Sequence, residues 1–142
     1  MTYATTEQLI ERFGESMLVQ LTDREAFPTG EIAADVVARA LAGTDAEING
    51  SLAKRYRLPL AAVPELVIEL AIAIAIYKLH RFAPDPKIEK DYERALAKLR
   101  QIAIGDVLLD VAGVEPTTSG AGGVVASDRP RDMTPGNLAG FI

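Results

Sequence analysis

This sequence predicts an all-α fold: a small helical bundle around one central buried helix, followed by an extended C-terminal tail. Three observations carry that reading. Residues 63–82, VPELVIELAIAIAIYKLHRF, are apolar on every side between Leu66 and Tyr77 except at Glu69, and a helix without a polar face has to be surrounded. The flanking segments 31–56 and 85–104 repeat apolar residues at helical spacing, so they supply amphipathic helices to surround it. After Ala112 the composition turns to Gly, Pro, Ser and Thr with no period, which cannot build a packed core. The chain therefore divides into a helical domain, 1–111, and a low-complexity arm, 112–142.

The elements follow in order. Thr5 and Gln8 have the spacing of a capping box, and Leu9, Ile10 and Phe13 continue at helical spacing until Gly14 breaks the pattern. A second short helix is predicted over 15–21, with Met17, Leu18 and Leu21 inward. Residues 22–30, TDREAFPTG, read as a loop from their Pro, Gly and polar content. Asp23 and Glu25 stand two apart, as calcium ligands do. Phe27 and Thr29 take the next ligand positions and no closing Glu follows, so no metal is expected there.

Residues 31–56 form the long amphipathic helix, with Ile32, Val36, Ala40, Leu41, Ile48, Leu52 and Tyr56 on one stripe. Gly43 and Gly50 each cost about 1 kcal/mol against Ala in a helix interior. A break near Gly43 and a close helix crossing at Gly50 are the two readings of that cost, and the pattern favours a helix that continues. Lys54, Arg55 and Arg57 cluster around Tyr56. They either complement a helix C-terminus or meet an anion or a partner, which makes them possible interface residues. Leu58, Pro59 and Leu60 make an extended turn, since residues before Pro avoid the α region.

Pro64 suits the first position of the central helix, and Lys78 and Arg81 complement its negative end. Asp85 and Pro86 fit the N-cap and first position of the last helix. Its stripe is Ile88, Tyr92, Ala95, Leu96, Leu99, Ile102 and Ala103, and Gly105 stops it after Ile104. Residues 106–111, DVLLDV, are either a strand or a segment laid along a neighbour. In all, four main helical segments are expected between Thr5 and Ile104, with 63–82 the most buried.

Composition excludes several functions. The chain of 142 residues has no cysteine and one histidine, so neither a disulfide framework nor a Cys/His zinc site is available. No catalytic set, cofactor site or metal site is found: there is no GxSxG elbow, His80 sits at a helix end beside Arg81, and the carboxylates fall on solvated helix faces. The chain is not expected to be an enzyme. Gly120, Gly122 and Gly123 lack the Lys-Ser/Thr of a phosphate loop. The apolar run is too short to span a membrane and carries Glu65 and Glu69, and the N-terminus MTYATTEQ has no basic region or apolar run to make a secretory signal. A net charge of −5 and the absence of Trp argue against wrapping or stacking nucleic acid.

Four stretches, YATTEQLIERFG, LVQLTDRE, DAEINGSLAKRYRLPL and YERALAKLRQIAIGDVLL, together resemble the Mu-like phage head–tail joining proteins, a connector adaptor family. They cover most of residues 3–109. The block 48–60 is the most specific, with Ile48, Gly50, Leu52, Arg55-Tyr56 and Leu58-Pro59-Leu60. The resemblance implies a structural head–tail connector: a ring of about twelve copies under the portal protein, located in the virion neck after assembly in the host cytoplasm. Such a ring extends the channel through which genomic DNA passes without specific binding, and it docks the next neck or tail protein. An acidic chain suits a channel wall, because phosphates slide past it rather than bind.

The same resemblance implies that the arm reaches the portal or an adjacent subunit. Its expected partner-binding residues are Arg129 and Arg131, which can pair with carboxylates, and the apolar anchors Leu138, Phe141 and Ile142. The alternative is a small helical DNA-binding regulator, since short helices joined by a Gly imitate a helix-turn-helix. Against it, residues 15–21 carry no Lys or Arg to read a groove.

Overall fold

The computed structural model describes residues 2–111. They form five helices and, among the described residues, no strand: α1 (Thr6–Phe13), α2 (Glu15–Thr22), α3 (Ala34–Leu52), α4 (Glu65–Leu79) and α5 (Pro86–Ile104). The fold is all-α. Helix α4 lies between α3 and α5, which also touch each other, while α1 packs on α2 and reaches α4. The expected partner-binding residues Arg129, Arg131, Leu138, Phe141 and Ile142 lie outside the described residues.

Helix α4 is the centre, as its residues require. Val67, Leu70, Ala71, Ile72, Ile74, Ala75, Ile76 and Leu79 are all buried, while Leu66, Glu69, Ala73 and Tyr77 form a strip that is half-buried or exposed. The helix is shorter than the sequence suggested. Pro64 stands at the N-cap in extended geometry rather than at the first helical position, and the chain leaves the helix at His80, whose ψ is 132°. Arg81 therefore lies beyond the last turn. Its expected role falls to Arg24, whose guanidinium donates to the Leu79 carbonyl at 2.8 Å.

The N-terminal pair forms as its residues dictate. The Gln8 N–H donates to Thr5 Oγ1 at 3.3 Å and the Thr5 N–H to Gln8 Oε1 at 2.9 Å, closing the capping box. Gly14, at φ 89°, both ends α1 and begins α2. That positive φ suits glycine and keeps the two short helices separate. The break at Gly14 and the separate short helix after it are as expected, and with this pair taken as one segment the four main helical segments are present.

Helix α3 runs through both of its glycines. A side chain at Gly43 would meet only the Lys78 chain at ordinary contact distance, 3.7 Å, and one at Gly50 would meet nothing within 4 Å. The close crossing expected at Gly50 is absent, because Gly50 lies on the exposed side. The buried stripe is Val37, Ala40, Leu41, Thr44, Ile48 and Leu52. Val37 replaces Val36 as the inward residue, and Thr44 joins the core because its hydroxyl donates to the Ala40 carbonyl at 2.8 Å, so burial leaves it satisfied.

Helix α5 follows its stripe. Asp85 caps it by accepting the Lys87 N–H at 3.0 Å, Pro86 is its first residue, and Ile88, Ala95, Leu99 and Ile102 are buried. Tyr77 of α4 and Tyr92 of α5 stack with ring centroids 3.8 Å apart.

Candidate interaction surfaces

The block that reads as most specific in the sequence is a clasp in space. After α3 the chain makes one further turn, with the Tyr56 N–H donating to the Leu52 carbonyl at 2.8 Å. This places Arg55 and Tyr56 against the end of α5. Arg55 donates to the Ile104 carbonyl at 3.2 Å, satisfying one of the carbonyls that a helix leaves unpaired at its C-terminus. Gly105 takes φ 90° in the left-handed region, and any Cβ there would land on the Arg55 guanidinium. The left-handed backbone favours glycine, and a larger residue would also have to displace the flexible Arg55 guanidinium.

Tyr56, 2% exposed, accepts the Leu109 N–H at 2.8 Å. Leu60, Leu109 and Val111 are buried in the same core. Residues 106–111 are therefore a segment laid along a neighbour and not a strand, the neighbour being the chain's own α3 exit. The clasp fixes residues 106–111 on the helical body.

The basic cluster splits accordingly. Arg55 serves the C-terminus of α5 rather than that of its own helix, while Lys54 and Arg57 are exposed. His80, the one histidine, is half-buried with Nδ1 2.8 Å from the Ile76 carbonyl. Among the described residues no group of His, Cys, Asp or Glu is placed to hold a metal ion, and no helix is long and apolar enough to cross a membrane.

A second tie holds the N-terminus on α3. The Tyr3 N–H donates to Asp45 at 2.9 Å and its phenol bonds to Asn49. Burial, then the Asp45 carboxylate, push the Tyr3 phenol pKa upward.

The loop between α2 and α3 is also tied to itself. Asp23 accepts the Gly30 N–H at 2.9 Å and the Thr29 hydroxyl at 3.4 Å. The Asp23 carboxylate that resembled a calcium ligand in sequence closes the loop instead. Phe27 stands at its tip, 87% exposed.

A groove of about 340 Å³ runs between α1, α4 and α5. Its floor is apolar, with Phe13, Leu66, Ile72, Ile76 and Ile88 among its residues, and its rim is charged. Arg12 pairs with Glu69 at 3.1 Å, and Asp91 pairs with Lys87 at 2.7 Å and Arg94 at 3.6 Å. The Lys87 hydrogen bond, followed by the charges of Lys87, Arg94 and Arg12, outweighs desolvation and holds the Asp91 carboxyl below its ordinary pKa. Periodicity placed Ile72, Ile76 and Ile88 in the core but gave no sign that they border an opening. The signal available for the loop was a lone Phe between Glu25 and Glu31.

The family model described as "Bacteriophage Mu, Gp36" matches residues 3–127. The chain belongs to that family. Its relative "Gene product J" of Escherichia phage Mu is 33% identical over 105 residues, 74% of each chain. The "Mu-like prophage FluMu protein gp36" of Haemophilus influenzae is 27% identical over 143 residues, 99% of this chain and 98% of its own. The Gp36 match spans all five helices and the clasp, and it extends beyond Val111, further than the resemblance read from the sequence. That resemblance is correct as far as a Mu-like phage protein.

Proposed function

We propose that this Gp36-family protein is a structural head–tail connector. About twelve copies form a ring beneath the portal, continue the DNA channel and dock the next neck or tail component, a heterologous contact that closes on itself. The observation that carries the reading is the clasp. Arg55 and Tyr56 hold residues 106–111 on the helical body, and the low-complexity stretch 112–142 follows this fixed segment directly in sequence. Three of the body's cations hold separate elements together: Arg55 on Ile104, Arg24 on Leu79, and Lys78 on Glu47 at 3.0 Å. Membership of a phage Mu family supports the setting. The arm supplies portal contact through Arg129, Arg131, Leu138, Phe141 and Ile142, with backbone pairing adding to what these anchors contribute.

Two measurements test this. Imaging of purified particles should place the protein at the neck on the portal axis; a two-fold dimer elsewhere refutes the ring. A chain ending at Val111 should keep its helical signal but fail to co-sediment with portal assemblies. Equal binding by the shortened chain removes the arm from docking. Salt-sensitive binding to duplex DNA would instead favour a regulator.

A further inference from the structure

We infer that the loop carrying Phe27 docks into the α1/α4/α5 groove of a second copy of this chain. This rests on the ring reading above, for which it supplies the contact between neighbours. Phe27 is the most exposed large apolar side chain among the described residues, at 87%. A lone exposed phenylalanine needs no explanation by itself, but this one is held out on a pre-set loop. The Asp23 carboxylate ties back to Gly30 at 2.9 Å, and Pro28 follows the ring directly. Little conformational freedom is left to lose on docking.

The groove matches it in size and in charge. About 340 Å³ of space over an apolar floor accommodates one aromatic side chain with the backbone beside it. The rim carries four cations, Arg12, Lys87, Arg94 and Lys98, against two carboxylates, Glu69 and Asp91. Lys98 has no ion-pair partner among the described residues. The loop 23–31 carries Asp23, Glu25 and Glu31 against one cation. That cation, Arg24, is turned back onto the Leu21 and Leu79 carbonyls at 3.2 and 2.8 Å. An acidic loop tipped by an aromatic thus faces a basic rim around an apolar floor, which is the complementarity that steers and registers a contact. Knob and groove involve different residues of one chain, so the contact is head-to-tail and leaves each copy free to bind one neighbour on either side.

The 142-residue chain contains no cysteine, which makes cross-linking clean. Ala26→Cys together with Lys98→Cys should give, on mild oxidation of the concentrated protein, a ladder of covalent dimers, trimers and higher species. Adding Phe27→Ser should reduce the ladder at least tenfold while leaving the melting curve unchanged, because Phe27 is exposed. In the same cysteine background, Glu25→Lys with Glu31→Lys should weaken the ladder, and adding Arg94→Glu should restore it. A ladder insensitive to Phe27→Ser, a product that stops at dimers, or no intermolecular product overturns the inference. A ring seen in particles without these effects keeps the ring and discards this contact. The effects without a ring in particles keep the contact and discard the ring.

Discussion

Tyr56→Phe removes one oxygen and leaves the ring. In the wild-type chain that oxygen accepts the buried Leu109 N–H at 2.8 Å, and Tyr56 is 2% exposed, so water cannot replace it without the segment lifting. A buried donor left without a partner costs about 1–3 kcal/mol, a sizeable share of a total stability of about 5–15 kcal/mol. For a body of this size that is a fall in Tm of roughly 4 °C for each kcal/mol. The loss should be local first. Residues 106–111 keep the Asp106 and Val107 N–H bonds to the Gln101 carbonyl, at 2.9 and 3.2 Å, so the start of the segment stays anchored while its far end loosens. The assay is a thermal melt paired with amide hydrogen exchange. The Leu109 amide should exchange roughly ten- to a hundredfold faster, by the usual conversion of such energies, with the helical signal unchanged. Tyr56→Ala, which also removes the ring, should cost about 3–5 kcal/mol. An unchanged Tm with Leu109 still protected in Tyr56→Phe would show that the phenol is not holding the 106–111 segment.

Ile74→Asp should prevent folding: Ile74 is fully buried at 0% exposure and an unpaired charge there costs several kcal/mol, so a soluble, cooperatively melting variant would contradict the central place of α4. Gly105→Ala should cost about 1–2 kcal/mol for the left-handed backbone alone, plus the displacement of Arg55. In denaturant melts that cost should shrink in an Arg55→Ala background, because the two residues share one contact. Asp91→Asn should cost a few tenths of a kcal/mol at neutral pH, as for an exposed i,i+4 pair. Since the folded-state pKa of Asp91 is lowered from its ordinary 3.8, this contribution is present above that value and is lost as the pH falls through the folded pKa. Melts across pH 2–7 should therefore show wild type and Asp91→Asn converging at the acid end.

Local signals were readable wherever the chemistry is confined to a few neighbouring residues. Thr5 with Gln8, Asp85 with Pro86, and Gly105 after Ile104 all sit where their caps require, because a cap is decided within one turn. The centrality of α4 was also legible, since no arrangement can leave its apolar sides in water. What escaped were features made by distant residues. Arg55 looked like a cap for its own helix, and nothing local points to Ile104. Arg81 looked like the last-turn cation of α4, while Arg24 arrives from another loop to take the carbonyl. Thr44 is polar by name and buried in fact, because it donates to its own helix. Gly50 suggested a close crossing, yet it faces outward. The groove depends on how α1, α4 and α5 splay, which a stripe of apolar residues does not encode.

The deep burial of α4 also bears on the order in which the chain is made. A ribosome delivers α1, α2 and α3 first, then α4, and α5 only after the turn at 80–85. Until α5 arrives, Ile72 and Ile76 have lost water's tolerance without gaining Ile88 and Ala95 as neighbours. Helices α1 to α3 can cover one side of α4 but not the side that α5 closes. A nascent chain halted before Pro86 thus carries an uncovered apolar helix, which is the kind of surface that aggregates or recruits chaperones. Among the described residues, α5 is the element that completes the core, and nothing upstream of it can finish the task.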